Sequence, residues 1–368
     1  MNGERAGRHA EALIDLEALR HNLAQARRAA GEARVFAVVK ADAYGHGLLD
    51  VARALHEHSD GFVVATLGEG EALRRAGVTR RIMVLQGHDS LGEARRAARL
   101  QLEPVLHTPP QLDVLDQGHA GLPMRVWLEI DSGMHRMGFD PAEVALALSR
   151  LDGHRALREP PGLMTHMARA DERDCPLTQA QLERFTQLTK GQAGERSLAN
   201  SATLLGWPAA LGDVVRPGIM LYGGNPFVDG RELPCTLKPV MQLRTRLLAV
   251  RWQKKGDRIG YGETWTCPED MPVGLAAIGY GDGYPRHAPS GTPVRVAGQD
   301  ASLVGRVSMD LLTLDLRGVA ARPGDEVLLW GEGLSVDSVA SMAGTISYEL
   351  LCAAGARSRR VVLNTGAV

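Results

Sequence analysis

Cysteine is scarce. The four residues, Cys175, Cys235, Cys267 and Cys352, are far apart, and none forms a Cys-x-x-Cys pair. That spacing excludes a zinc knuckle and a disulfide framework and leaves reduced, structural thiols, as expected of a cytoplasmic protein. An excess of one charge is also missing. The formal net charge is -1, whereas nucleic-acid binders carry a basic surplus or stripe. No stretch approaches the ~20 consecutive apolar residues of a membrane span. The first residues hold charges at Glu4, Arg5, Arg8 and Glu11 and lack the apolar core of a secretory leader. There is no repeat of fixed period and no long flexible linker.

What the chain does have is alternation. With 368 residues and 44% apolar content it is long enough for about two domains. Short β-branched runs are followed by amphipathic Ala/Leu/Arg-rich stretches between residues 35 and 225. The runs are VFAVVK (35–40), FVVAT (62–66), IMVLQ (82–86), LEPVL (102–106), VWLEID (126–131), LMTHM (163–167), SLANS (197–201) and IMLYG (219–223). Eight strands alternating with helices predict an α/β chain whose first part is a (β/α)8 barrel, with an open doubly wound sheet as the competing arrangement. Beyond Pro234 the sequence turns strand-rich, with frequent turn signals, and predicts a mainly antiparallel β domain. One helix, VDSVASMAGTISYELLCAAG, and a last strand, RRVVLN, complete it. The expected division is a barrel over 12–232 and a β domain over 233–368, to which an N-terminal strand within 1–17 is added.

Three kinds of chemistry-bearing stretch stand out. In AVVKADAYGHG (37–47) a lysine, Lys40, ends an apolar strand. Barrel active sites gather at such strand ends. A partly desolvated lysine there is a nucleophile able to form a Schiff base with an aldehyde, and the alternative is a side chain snorkelling to solvent. NSATLLG (200–206) and RPGIMLYG (216–223) place a serine and free backbone N–H groups at late strand–helix junctions, which suit a phosphate. GYGDGYPR (279–286) is not a dinucleotide fingerprint, because its spacing is GxGxG and a proline falls where a helix should begin. EIDSGMHRMG (129–138) puts Glu129, Asp131 and Arg136 at a strand end. TISYEL puts Tyr348 at a helix start, where a core role with a wet hydroxyl is the plainer reading. His46, His135 and His287 show no metal-ligand spacing.

Taken in order, AVVKADAYGHG, DSGMHRMG, THMARAD, ANSATLL, VRPGIMLYG, AAIGYGDGYPR, VGRVSMD and SYEL resemble the alanine racemases, from about Ala12 to Val362. The resemblance implies a pyridoxal 5'-phosphate enzyme that interconverts L- and D-alanine and supplies D-alanine for peptidoglycan. It implies a homodimer in which one chain's β domain completes its partner's site. The family's cofactor-bearing lysine, also one catalytic base, matches Lys40. The second base matches Tyr280. Two bases are needed because the α-proton leaves one face and returns on the other. A phenol is largely un-ionised near pH 7, so a tyrosine base needs cations nearby. The family's network for this matches His166 and Arg216. Arg216 is further implied to donate to the pyridine nitrogen. Because arginine does not release its proton, a weaker electron sink is expected.

The remaining carry-over assigns phosphate contacts to Tyr44, Ser201, Gly218, Ile219 and Tyr348. Arg136 and the backbone of Met309 match the substrate-carboxylate contacts. Asp171 and Arg306 match the polar entryway, narrowed by Tyr280 and Tyr348 to favour a small side chain. No metal is implied. One position departs. Where many relatives carry a carbamylated lysine that orients the arginine, this chain has Glu129, whose shorter carboxylate is expected to reach Arg136 by a rearranged or water-bridged contact. Other readings are a racemase of wider substrate range, a decarboxylase of related architecture and a non-catalytic cofactor carrier. Racemases of wider range are usually exported, which the charged start disfavours. Decarboxylases of this architecture use a boundary cysteine, absent from the matching segments. Carriers lack the whole second domain.

Overall fold

The computed structural model describes residues 10–117, 123–355 and 357–364. The chain enters through β1 (Glu11–Asp15) and then builds the barrel from β2 (Arg34–Val38), β3 (Gly61–Val64), β4 (Arg81–Val84), β5 (Glu103–Leu106), β6 (Trp127–Glu129), β7 (Gly162–Met164), β8 (Arg196–Ser197) and β9 (Val214–Val215). All are parallel, in the order β8-β7-β6-β5-β4-β3-β2-β9. The Arg216 N–H donates to the Ala199 carbonyl at 2.8 Å and ties the ends of β8 and β9 together. The strands are buried on both faces, as parallel strands must be when helices cover the outside and side chains fill the inside. Intervening helices start on polar caps. Asp15 accepts from the N–H groups of Glu17 and Ala18 at the head of helix Leu16–Ala30. Thr66 and Glu69 form a capping box on helix Leu67–Arg75.

Two expectations are corrected. The run IMLYG is not the eighth strand. Residues Ile219–Tyr222 form a 3-10 turn, closed by Gly223 at φ 90°, and the Val-Val pair of β9 closes the barrel instead. All four residues of the turn are buried, and four apolar residues carry no period that separates a strand from a buried helical turn. The long helix expected near the C-terminus is two helices, Val336–Met342 and Ser347–Ala354, broken at Gly344 with φ 68°.

The second unit comprises β10 (Met241–Gln253), β11 (Arg258–Ile259), β12 (Trp265–Thr266), β13 (Met271–Ala276), β14 (Pro293–Val296), β15 (Gln299–Leu303), β16 (Leu312–Asp315), β17 (Glu326–Trp330) and β18 (Arg359–Leu363). β13 pairs with both β16 and β10, so six antiparallel strands close on themselves. β1 extends this sheet, antiparallel to β10 and parallel to β18. The barrel's N-terminal face is plugged by charge. Arg81 forms paired hydrogen bonds with both Glu103 (2.6 and 2.8 Å) and Glu195 (2.8 and 3.1 Å), its guanidinium 4.9 Å from the Phe36 ring centroid.

Candidate active site

The opposite, C-terminal face of the barrel holds the candidate site. After β2 the chain turns at once instead of running on as an extended strand. Ala41, Asp42, Ala43 and Tyr44 take φ values of 54°, 53°, 54° and 53°, a left-handed turn made without glycine. This conformation costs roughly 1–2 kcal/mol per residue, so its surroundings must impose it. Ala41 donates to Glu69 Oε1 at 2.8 Å, and the Asp42 carboxylate accepts from Leu48 N–H at 2.7 Å and from Arg360 at 2.5 Å. Gly45 follows at φ 79°, and a side chain there would collide with the Leu351 carbonyl. Glycine therefore lets helix Ser347–Ala354, and with it Tyr348, approach the turn.

Lys40 starts this turn. Among the described residues no hydrogen bond or ion pair holds its amine. Burial lowers its pKa first, then the positive charge of Arg136, with Arg216 adding to the same effect and Glu69 opposing it. The amine is thereby shifted toward the neutral, nucleophilic form. Arg216 is buried, its guanidinium donating to Ser197 Oγ and to the Thr165 carbonyl at 2.9 Å. Burial lowers its pKa to about 10, opposed by the Glu129 charge, and it stays a cation at neutral pH. His166 lies among these charges. Burial, then Arg216, Arg136 and Lys40, bring its pKa to about 3, so it is a neutral imidazole and the arginines alone supply positive charge.

A donor-lined cradle lies beside them. Ser201 Oγ accepts from the Gly218 N–H at 2.8 Å. The Ile219 N–H opens its short turn and so has no partner within it. A Cβ on Gly218 would come 2.6 Å from the Tyr44 hydroxyl oxygen, so only glycine lets that hydroxyl in. Tyr44 stacks on Tyr222 at 4.7 Å and lies 5.8 Å from Tyr348. Burial raises the pKa of both Tyr44 and Tyr348, keeping them as O–H donors. Hydroxyl and backbone donors fit a phosphate, a buried arginine with N–H groups to spare fits a ring nitrogen, and an unpaired amine fits an aldehyde. The residues present thus match pyridoxal phosphate. A cleft of about 990 Å³ opens from His166, Asp171, Asn200 and Tyr348 toward Asp337.

Glu129 behaves differently from expectation. No ion pair joins it to Arg136 among the described residues. Its buried carboxylate lies 3.1 Å from Nδ1 of His107, which also contacts the Leu85 carbonyl through Nε2. The side chain is short and stays inside the barrel mouth, whereas Arg136 is exposed. His107, Tyr222 and the two acceptors on Arg216 are not among the residues expected from the sequence. His107 follows the run LEPVL directly, and that strand-end position was the available signal.

The expected residues form two groups. Lys40, Tyr44, Glu129, Arg136, His166, Asp171, Ser201, Arg216, Gly218, Ile219 and Tyr348 surround the barrel mouth. Tyr280, Arg306 and Met309 lie on the β domain, all exposed. There the N–H groups of Tyr280 and Gly281 donate to the carbonyls of Ser308 (3.0 Å) and Met309 (2.8 Å). Among the described residues no hydrogen bond, ion pair or ring contact joins the second group to the first.

A (β/α)8 barrel with an unpaired strand-end lysine and a phosphate cradle, joined to a closed β domain, defines a barrel enzyme built for an aldehyde cofactor. Comparison with known proteins narrows this. The family model for the alanine racemase N-terminal domain matches residues 14–226, and that for the C-terminal domain matches 240–362. The alanine racemase of Halorhodospira halophila is 52% identical over 354 residues, covering 96% of this chain and 97% of its own. The crystal structure of the biosynthetic alanine racemase of Pseudomonas aeruginosa superimposes with a TM-score of 0.93 at 46% identity, over 96% of this chain and 99% of that one. That of Bartonella henselae alanine racemase, with covalently bound pyridoxal phosphate, gives 0.87 at 26% identity over 96% and 99%. The chain belongs to the alanine racemase family.

Proposed function

We propose that two bases, Lys40 and Tyr280, perform the alanine racemase reaction of this pyridoxal phosphate-dependent enzyme, meeting only in a homodimer. The observation that carries this is the separation just described. Lys40 and the cradle lie at the barrel mouth, and Tyr280 stands exposed on the β domain with no contact linking the two among the described residues. A second copy turning its β domain toward the mouth would complete each site. The domain division at 232/233, with the N-terminal strand assigned to the β unit, belongs to this reading; residues 1–9, 356 and 365–368 of that unit lie outside the described residues.

The cofactor, when bound, would supply the electron-withdrawing ring that makes the α-proton of alanine removable. The protein does the rest. Tyr44, Ser201, Tyr348 and the N–H groups of Gly218 and Ile219 would hold the phosphate, and Arg216 the ring nitrogen. Because Arg216 remains protonated at neutral pH, it orients that nitrogen without passing it a proton. Arg136 and the Met309 backbone would hold the substrate carboxylate, and Asp171 and Arg306 would line the entry. Lys40 Nζ exchanges the α-proton on one face and the Tyr280 hydroxyl on the other, each acting as acid in one direction and base in the other. The substrate is alanine, and the role is biosynthetic supply of D-alanine for peptidoglycan in the cytoplasm. No helix among the described residues is long and apolar enough to cross a membrane.

The test is subunit complementation. Lys40→Ala and Tyr280→Phe enzymes are each assayed in D2O with L- and D-alanine, then mixed, dissociated and reassociated. Tyr280→Phe should lose one direction of proton transfer far more than the other. The mixture should regain racemisation, because one site of each hybrid is intact. Equal handling of both enantiomers by Tyr280→Phe refutes the two-base assignment, and failure of complementation refutes the shared site.

A further inference from the structure

The left-handed turn after Lys40 needs a device that holds it, and one buried residue is placed to do so. His46 is fully buried. Its Nδ1 lies 3.0 Å from the Ala43 carbonyl and 2.8 Å from the Tyr44 carbonyl. Both neighbours are acceptors, so Nδ1 carries the proton and shares it between them. Its Nε2 is buried without a hydrogen-bond partner. The ring also lies 4.5 Å from Tyr222, which stacks on Tyr44 and donates from its hydroxyl to the Val38 carbonyl at 2.8 Å. His46 therefore reaches the turn twice, through the carbonyls of its last two left-handed residues and through the ring that backs Tyr44. Desolvation keeps the imidazole neutral, with a pKa of about 4.

We propose that His46 is a positioning residue for Lys40 and Tyr44. Its single Nδ1–H bridges two carbonyls of the left-handed turn and so fixes the direction in which the amine leaves the strand end and the seat of the Tyr44 hydroxyl against Gly218. It touches neither substrate nor cofactor. The inference rests on the reading of Lys40 and Tyr44 as cofactor contacts given above.

The geometry of the donor makes the test specific. An asparagine amide can place its nitrogen near the position of imidazole Nδ1, whereas a glutamine amide places it near Nε2, where the structure offers no acceptor. His46→Asn, His46→Gln and Tyr44→Phe are prepared as full-length apoenzymes and titrated with pyridoxal 5'-phosphate. The turnover per loaded site is then measured at saturating cofactor. His46→Asn should bind cofactor within about threefold of wild type. His46→Gln should bind about tenfold more weakly, the worth of one ordinary hydrogen bond. It should also turn over more slowly per loaded site while KM for alanine stays unchanged. A residue that served stability alone would leave turnover per loaded site intact. Wild-type binding and turnover in His46→Gln would overturn the proposal. So would a loss in His46→Asn equal to that in His46→Gln. If His46→Gln does not fold, a tenfold weaker cofactor affinity in a folded His46→Asn is enough to overturn it. Unchanged affinity in Tyr44→Phe would remove the underlying cofactor assignment. A weakened Tyr44→Phe beside an unaffected His46→Gln would remove only the role of His46.

Discussion

Gly218→Ala is the sharpest probe of the cradle. The added methyl would lie 2.6 Å from the Tyr44 hydroxyl oxygen, 3.3 Å from its Cζ and 3.7 Å from Val38 Cβ. Carbon contacts are comfortable at about 3.5–4.0 Å, so the hydroxyl is the atom that must move, by close to 1 Å. Tyr44 has little room to do so. Its ring is stacked on Tyr222, and its backbone is held in the left-handed turn. Overfilling a packed site of this kind costs about 1–3 kcal/mol. If the cost falls on the cofactor-bound form, affinity for pyridoxal phosphate drops by about 5- to 150-fold. Titration of the apoenzyme reads this directly, with urea unfolding of the same apoenzyme showing how much of the cost is already present before binding. A Gly218→Ala enzyme with wild-type affinity and an unchanged unfolding midpoint would mean that Tyr44 does not lean on Gly218, and the cradle described above would be wrong.

Other outcomes follow from other parts of the chain. Arg81→Met leaves the buried Glu103 without a cation at the closed end of the barrel, while Glu195 keeps Arg34, and should cost about 3–5 kcal/mol in urea unfolding while leaving KM for alanine unchanged; a loss below about 1 kcal/mol would refute the plug. Glu129→Gln removes the anion that favours the charge on Arg216 and should raise KM about fivefold, equivalent to about 1 kcal/mol. Added bicarbonate should do nothing to the wild type, since glutamate has no amine to carbamylate, and rescue by bicarbonate would contradict this. His46 titrates at about 4 in the fold against about 6.5 when unfolded. The unfolded chain therefore takes up the proton first as pH falls. Stability contributed by the neutral ring is complete above about pH 6.5 and is lost progressively down to about pH 4, by about 3 kcal/mol. Urea midpoints of wild type and His46→Asn across that window should converge at low pH, and parallel curves would refute the assignment.

Strand ends were easy to read. Lys40 and Ser201 close the strand runs VFAVVK and SLANS, and in a barrel that position alone assigns them to one face, whereas Arg216 precedes the run IMLYG and its place at the end of β9 is visible only in the fold. Ile219–Tyr222 was misread because burial on every side erases the period on which strand and helix are told apart. The left-handed turn was hidden for a different reason. Ala41, Ala43 and Tyr44 have no local preference for positive φ, and besides His46 the conformation is held by Glu69, Arg360 and helix Ser347–Ala354, which are distant in sequence. Glu129 shows the same limit at a single side chain. Its identity told which chemistry was present, but its partner, His107, comes from the neighbouring strand, and the parallel register of β5 and β6, with Leu106 beside Leu128, brings the two together. The two groups of site residues could be assigned from the family resemblance, yet their separation within one chain is a property of the folded molecule.

β1 is sandwiched between β10 and β18, so its first partner, Met241 opposite Ile14, lies about 230 residues later in the chain. At roughly 5–20 residues per second on the ribosome, that strand waits about 10–45 s for a neighbour. The whole barrel emerges in the interval. Folding during synthesis therefore cannot run strictly from the first residue onward. The opening strand must be parked, shielded or left loose until the β domain arrives, and a stalled or truncated chain would present an unpaired edge to any other stalled chain.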